Sequence, residues 1–174
     1  FKVLGRTLDD AIGEVYDKVA KVLDLPYPGG PNIEKYALQG TPSYDLPKPM
    51  NNDELNFSYS GLKSAVINLV HNEKQRGNEL RKYDLAASFQ TVAIDELVRK
   101  TELAINQLGI ERLIIAGGVT ANKYLRGEME KLAQKHNIKL TIPPMKYCTD
   151  NAAMIGCAAY PLYLKKDFTD YSLN

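Results

Sequence analysis

From Arg112 to Leu164 the chain switches repeatedly between two apolar patterns, and this alternation constrains its fold more than any other feature. Leu113-Ile114-Ile115-Ala116 is a short continuous apolar run and predicts a buried strand, and Ala121 to His136 carries helical spacing. Lys139 to Ile142 predicts a second strand and Asn151 to Leu164 a last helix. Strand, glycine turn, helix, strand, loop, helix is an α/β arrangement. With 174 residues, 44% hydrophobic and 25% charged, the chain is large enough and ordinary enough in composition to bury a core.

Upstream of that section helices dominate. Phe1-Lys2-Val3-Leu4 predicts the end of a strand, and Thr7 with Asp10 predicts a helix start in the manner of a capping box. This helix runs to about Leu23. Leu8, Ala11, Ile12, Val15, Val19 and Val22 make one apolar stripe, while Asp10, Glu14, Asp17 and Lys21 repeat on another face. The prolines of Leu25-Pro26-Tyr27-Pro28-Gly29-Gly30 end the helix, and Pro31 suits the first position of the next, which ends near Gly40. Thr41 to Asn56 is rich in Pro, Asn and Asp and predicts a loop with a short extended piece over Asp45 to Met50. Ser58 or Ser60 can cap a helix to about Val70, with a loop over His71 to Glu79. Asp84 to Leu108 holds the longest helical pattern, stopped by Gly109. No repeat, low-complexity tract or linker divides the chain.

Charge and cysteine content exclude several classes. The 22 Lys and Arg against 21 Asp and Glu leave a net charge of +1, so the chain is no polycation held to nucleic acid by bulk charge. Any RNA contact needs a local patch or a partner. The longest charge-free apolar run, Ala152 to Leu164, is shorter than the ~20 residues of a bilayer-spanning helix. Phe1 opens the chain without an initiator Met, and no basic stretch precedes an apolar signal core; the chain reads as a piece of something longer, cytoplasmic rather than secreted. Cys148, Cys157, His71 and His136 are too few and too scattered for a zinc site or a disulfide framework. The thiols read as buried and reduced, and the histidines as surface residues.

Three segments can carry chemistry. Gly117-Gly118-Val119-Thr120-Ala121-Asn122 follows a strand and opens a helix, so its amides can approach a nucleotide without Cβ obstruction; a tight strand-to-helix turn accounts for it equally well. Cys148-Thr149-Asp150-Asn151 lies at a second junction of this kind. Thr149 or Asp150 can cap the last helix there, or Asp150 can offer a carboxylate to a metal ion. Asp10, Glu14 and Asp17 read as a solvated acidic face, although Gly13 inside that helix suggests close packing, and an Asp beside a Gly-Gly turn suits ribose hydroxyls.

As an ordered set these segments resemble the TsaD family (older name Gcp). The resemblance rests on Thr7-Leu8-Asp9-Asp10-Ala11-Ile12-Gly13-Glu14-Val15-Tyr16-Asp17-Lys18-Val19-Ala20, on Tyr27-Pro28-Gly29-Gly30-Pro31-Asn32-Ile33-Glu34 and on Phe57-Ser58-Tyr59-Ser60-Gly61-Leu62-Lys63. Gly117 to Asn122 with Leu125-Arg126, and Cys148 to Ile155, complete it, so that it covers Leu4 to about Ala159. It implies the actin-like ATPase fold (ribonuclease H-like, ASKHA): residues 1–40 as an inter-lobe segment with a nucleoside-binding signature, and residues 41–174 as the C-terminal lobe. It implies transfer of the threonylcarbamoyl group from threonylcarbamoyl-AMP to the exocyclic amine of adenosine at tRNA position 37, in tRNAs reading codons that begin with A. By the same resemblance Asp17 and Gly30 contact the nucleoside, Glu34 lies beside the ribose, and Asn122 reaches the nucleotide from the opposite lobe. Asp150 is the carboxylate ligand of one divalent metal, iron by family, with zinc or magnesium as alternatives.

The family's two histidine ligands, one helical turn apart, have no counterpart here, and its first phosphate-binding lobe is absent. The chain therefore resembles a C-terminal half, expected to be inactive alone and to bind metal poorly. Implied partners are tRNA, TsaB-like and TsaE-like proteins and the N-terminal half of the same enzyme, with no membrane. Lys63, Arg81, Lys82 and Arg126 could help hold tRNA, solvated surface charge being the plainer reading. A sugar kinase or chaperone ATPase of the same superfamily would lack the Tyr-Pro-Gly-Gly and Cys-Thr-Asp-Asn segments. A non-catalytic scaffold of the same complex would have less reason to keep Asp150, Asn122 and Gly30. A protease finds no His-Glu-x-x-His helix and no Ser, His and Asp set.

Overall fold

The apolar stripe on the first helix and the long helical pattern after Leu80 organise the molecule. A computed structural model describes residues 2–50 and 52–170. Four helices come first: α1 (Ile12–Val22), α2 (Gly29–Ala37), α3 (Ser60–Gln75) and α4 (Lys82–Leu108). Then follow β1 (Arg112–Ile114), a short 3-10 turn (Gly118–Ala121), α5 (Lys123–Lys135), β2 (Lys139–Thr141) and, after a second 3-10 turn, α6 (Ala152–Leu164). β1 and β2 pair in parallel, Leu113 opposite Leu140, with α5 as the crossover that parallel strands require.

Helix α4, 27 residues and about 40 Å long at 1.5 Å per residue, spans both parts of the core. Its first half packs with α1, α2 and α3 around Val15, Val19, Ile33, Leu62, Val66 and Phe89. From Ile94 onward the helix meets Leu125, Met129 and Leu132 of α5 through Ile94 and Ile105. Each such side chain taken from water contributes about 1.5–3 kcal/mol. Lys100 is also buried on α4, 1% exposed. Its ammonium donates to Asn52 Oδ1 at 3.2 Å, to the Glu54 carbonyl at 2.8 Å and to the Asn56 carbonyl, and lies 3.6 Å from buried Glu96. It pins the loop before Phe57 onto the helix.

Several expectations are corrected. Phe1 lies outside the described residues, and residues 2–4 form no strand; further on, Thr7 makes a single parallel bridge with Phe57. Thr7 and Asp10 build no capping box, because α1 starts at Ile12 after Ala11, which offers no side-chain cap. Asp10 instead takes Lys18 at 2.6 Å and Lys63. Asp9, unremarked as a cap, serves α3: Oδ1 accepts the Tyr59 amide at 2.9 Å and the Ser60 amide at 3.3 Å, and Oδ2 accepts the Ser60 hydroxyl at 2.6 Å and the Ser58 hydroxyl. The two serines thus hold the cap rather than being it. Residues 45–50 contain no strand, and α3 continues to Gln75, since its polar last turns need no burial to stay helical. Cys148 is buried as expected, but Cys157 on α6 is exposed. His71 is exposed, whereas His136 is half-buried, with Nε2 2.6 Å from Glu102 Oε1.

Helix α6 stands apart. None of its residues is buried, although it is built almost wholly of Ala, Met, Ile, Leu and Tyr. No helix is long and apolar enough to cross a membrane among the described residues.

Candidate functional site

The Gly-Gly turn before α2 is shaped by Asp17. Gly29, not Pro31, opens the helix, and its amide donates to Asp17 Oδ1 at 2.7 Å. A Cβ on Gly29 would lie 2.5 Å from Asp17 Cα and 2.8 Å from the Tyr16 carbonyl, so only glycine lets α2 approach α1 this closely. Gly30 differs: nothing lies within 4 Å of where its Cβ would be. Its face is open to a ligand. A cavity of about 300 Å³ is lined by Asp17, Lys18, Lys21, Leu25, Tyr27 and Gly29.

From α2, Glu34 reaches across to the start of α5. Its Oε1 accepts the Lys123 amide at 2.5 Å. Asn122 is the N-cap of the same helix: Oδ1 accepts the Leu125 amide at 2.9 Å, and Nδ2 donates to buried Gln90 at 2.8 Å. Two orphan amides of α5 are therefore satisfied, one by the residue before the helix and one from another helix. The result places Gly30 and Glu34 on one side and Asn122 with the glycine turn on the other. Gly117 has φ 97°, a conformation that L side chains rarely adopt, and the space beside Gly117 and Gly118 is open. A second cavity of about 370 Å³ is lined by Ile115, Gly117, Gly118, Val119 and Thr120. Gly13 faces Val119 at 3.5 Å from its would-be Cβ, an ordinary contact that does not itself demand glycine.

Asp150 lies in the loop after β2. The cap of α6 is Asn151, whose side chain accepts the Met154 amide at 3.0 Å, so Asp150 is not occupied as a cap. It is exposed, and no hydrogen bond or ion pair engages its carboxylate among the described residues. An unengaged carboxylate fits the part of one oxygen ligand for a divalent metal. No group of three or more His, Cys, Asp or Glu positioned for a metal occurs among the described residues. Asp17, Gly30, Glu34 and Asn122 are linked through α1, α2 and α5 by the Asp17–Gly29 and Glu34–Lys123 bonds; no hydrogen bond or ion pair among the described residues brings Asp150 to them.

Arg126 and Gln90 were missed as site residues. Arg126, expected as solvated charge, donates from Nε to the Thr120 carbonyl at 2.6 Å and from Nη2 to the Pro143 carbonyl at 2.8 Å and Cys148 Sγ at 3.1 Å. Lys63 is likewise half-buried on Asp10. A helix expected from Ala121 put Asn122 inside it, whereas Asn122 is the N-cap; Asn directly before a periodic apolar pattern is the signal for that role. Beside the site, the Tyr16 and Tyr59 hydroxyls are buried without a partner among the described residues. Burial pushes both phenols above their ordinary range, Tyr16 helped by Tyr59 and Glu34, and Tyr59 by Glu96.

This architecture is that of a mostly helical α/β unit seen within larger proteins. The crystal structure of T. kodakarensis HypF superposes on 92% of this chain and 21% of its own, with a TM-score of 0.62 at 18% identity. Full-length HypF in the phosphate- and nucleotide-bound form gives 0.60 at 17% identity, over 89% of this chain and 20% of its own. At such identities the likeness shows the fold alone. The family itself comes from sequence. The model of the family described as TsaD: tRNA N6-adenosine threonylcarbamoyltransferase matches residues 1–157. The tRNA N6-adenosine threonylcarbamoyltransferase of Bacillus cereus is 53% identical over 176 aligned residues, covering 100% of this chain and 51% of that protein. Those of Halalkalibacterium halodurans and Moorella thermoacetica are 50% and 49% identical, over 100% and 99% of this chain and 51% of each. The chain belongs to the TsaD family, and it spans about half the length of the curated relatives it matches.

Proposed function

We propose that the chain works as the C-terminal lobe, with part of the inter-lobe helices, of an enzyme on the actin-like ATPase fold, residues 1–40 forming the inter-lobe segment and 41–174 the lobe. The enzyme transfers the threonylcarbamoyl group from threonylcarbamoyl-AMP to the exocyclic amine of adenosine 37 of tRNA. The amine nitrogen bonds to the carbamoyl carbon, the bond from that carbon to the phosphate oxygen breaks, and AMP and one proton leave. The observation that carries this reading is the contact of Glu34, on the same helix as the open Gly30, with the capped start of α5 beside the open turn at Gly117. Open glycines at helix starts present amides to an anionic nucleotide without Cβ obstruction.

In this reading Asp17 holds α2 in place through the Gly29 amide and offers its other oxygen to the nucleoside, while the open Gly30 face lets the ligand approach the backbone. Asn122 fixes the opposite wall, and a ribose hydroxyl would share Glu34 with the Lys123 amide. Asp150 would give one oxygen to a divalent metal, iron by family or else zinc or magnesium, which when bound offsets the charge of the leaving phosphate. The chain by itself is expected to be inactive, the other metal ligands coming from the remaining half of the enzyme. tRNA, TsaB-like and TsaE-like partners and the remaining half of the enzyme complete the system, in the cytoplasm.

The test is incorporation of labelled threonine into tRNA by the full-length enzyme with its partners, ATP and bicarbonate. Asp150→Ala is expected to abolish labelling while the protein stays folded. Undiminished labelling removes Asp150 from the mechanism, and no labelling by wild type returns the chain to the scaffold reading.

A further inference from the structure

β1 and β2 lie side by side in parallel, so the chain leaves both at the same edge. β1 leads into the turn that ends at Asn122, and β2 leads through Pro143 and Pro144 to Cys148 and Asp150. Ligands of open α/β sheets bind beyond the carboxyl ends of such strands. The separation of these two loops therefore sets the distance between the nucleotide wall and the carboxylate of Asp150. Among the described residues, no side chain outside the second loop hydrogen-bonds to it except Arg126. Its residues 144–147 and 149–150 are exposed, and the one buried side chain in it is Cys148, 3% exposed.

One side chain spans the gap. Arg126, in the first turn of α5, sends Nε back to the Thr120 carbonyl of the glycine turn. It sends Nη2 to the Pro143 carbonyl and to Cys148 Sγ. The Cys148 thiol itself lies 3.8 Å and 3.6 Å from the Pro143 and Pro144 carbonyls. A guanidinium presents its donors in a rigid planar fork, so acceptors bound to two of its nitrogens are held at a fixed spacing. A lysine ammonium has no such plane.

We infer that Arg126 is a positioning residue, fixing the Cys148–Asn151 loop, and with it Asp150, against the turn that carries Asn122. This rests on the reading of Asp150 as a metal ligand. Groups that orient a ligand typically alter metal affinity by 10–100-fold when lost. The position needs the shape of arginine rather than its charge.

The experiment compares full-length wild type with Arg126→Lys, Arg126→Gln and Asp150→Ala in three measurements: thermal melting, Zn²⁺ affinity of the metal-free protein by indicator competition, and kcat and KM for threonylcarbamoyl-AMP. Arg126→Lys is expected to melt close to wild type yet bind Zn²⁺ about tenfold more weakly or worse, and to lose kcat more than KM. Arg126→Gln, which keeps a planar donor but loses the fork, should show the same pattern if Arg126→Lys fails to fold. Unchanged Zn²⁺ affinity and kcat in a folded Arg126 variant overturn the inference, provided Asp150→Ala loses both. If Asp150→Ala also leaves both unchanged, the metal reading itself has failed and takes the inference with it.

Discussion

Helices α1 and α6 are of similar length, and both are rich in apolar residues, yet they meet opposite fates. In α1 the apolar residues fall at spacings of three and four, and Val15, Tyr16, Val19 and Ala20 are buried against α2, α3 and α4. In α6 apolar residues occupy every face, and none is buried. The stripe of α1 matches a core that this chain supplies. A helix apolar all round suits a site enclosed on every side, and the described residues do not make one for α6. Periodicity thus tells how many sides of a helix are to be covered, while the fold of the chain tells whether it does the covering.

That contrast can be broken most directly by truncating side chains in each region and following urea unfolding of the chain. Phe89→Ala, at the centre of the four-helix core, is expected to destabilise by about 3–5 kcal/mol. Lys100→Ala leaves Asn52 Oδ1 and the Glu54 and Asn56 carbonyls without their buried donor, while Glu96 keeps Arg99 at 2.9 Å, and should cost roughly 3 kcal/mol; Lys100→Met, whose stem still fills the space, should lose less. Asp9→Asn weakens the cap of α3 and should cost about 1 kcal/mol.

Asp9 also gives a pH signature. Desolvation would raise its carboxyl, but hydrogen bonds from Ser58, Ser60 and the Tyr59 and Ser60 amides outweigh it and lower the pKa from 3.8 to about 2. The unfolded chain then holds the proton more tightly than the folded one, so this contribution is full above pH 3.8 and is lost as pH falls through about 2. Asp9→Asn should flatten that limb of the acid unfolding curve. At the small end, Tyr16→Phe removes a buried unpartnered hydroxyl and should be neutral or slightly stabilising. Ile155→Lys on α6 should change stability by less than about 0.5 kcal/mol while making the chain more soluble. A loss of 2 kcal/mol or more there, as in the core, would erase the distinction between the two helices.

What could be read before the structure divides along the same line. The stripe of α1, the span of α4 and its stop at Gly109, and the two strands flanking α5 are local patterns, and they appear within a few residues of where spacing puts them. The resemblance put Asp17 and Gly30 at the nucleoside and had Asn122 reach the nucleotide from the opposite lobe. The contacts that join distant segments were not legible, because each pairs residues far apart in the chain: Asp9 with Tyr59, 50 residues on, and Glu34 with Lys123, 89 residues on. Arg126 looked like surface charge for the same reason, its Pro143 and Cys148 acceptors arriving only once β2 has paired with β1. The capping box at Thr7 failed because Asp9 and Asp10 are engaged by α3 and its lysine.

The carboxylate of Glu34 on the Lys123 amide has a consequence for how the molecule opens. A cap that belongs to its own helix can form while the rest of the chain is unfolded, but this one closes a loop of 89 residues and exists only when α2 and α5 have docked. The first turn of α5 is therefore tied to global rather than local fluctuations. In hydrogen exchange the Lys123 amide should be released together with the slowest amides of α2, although it lies at a helix end, where fraying ordinarily makes exchange fast.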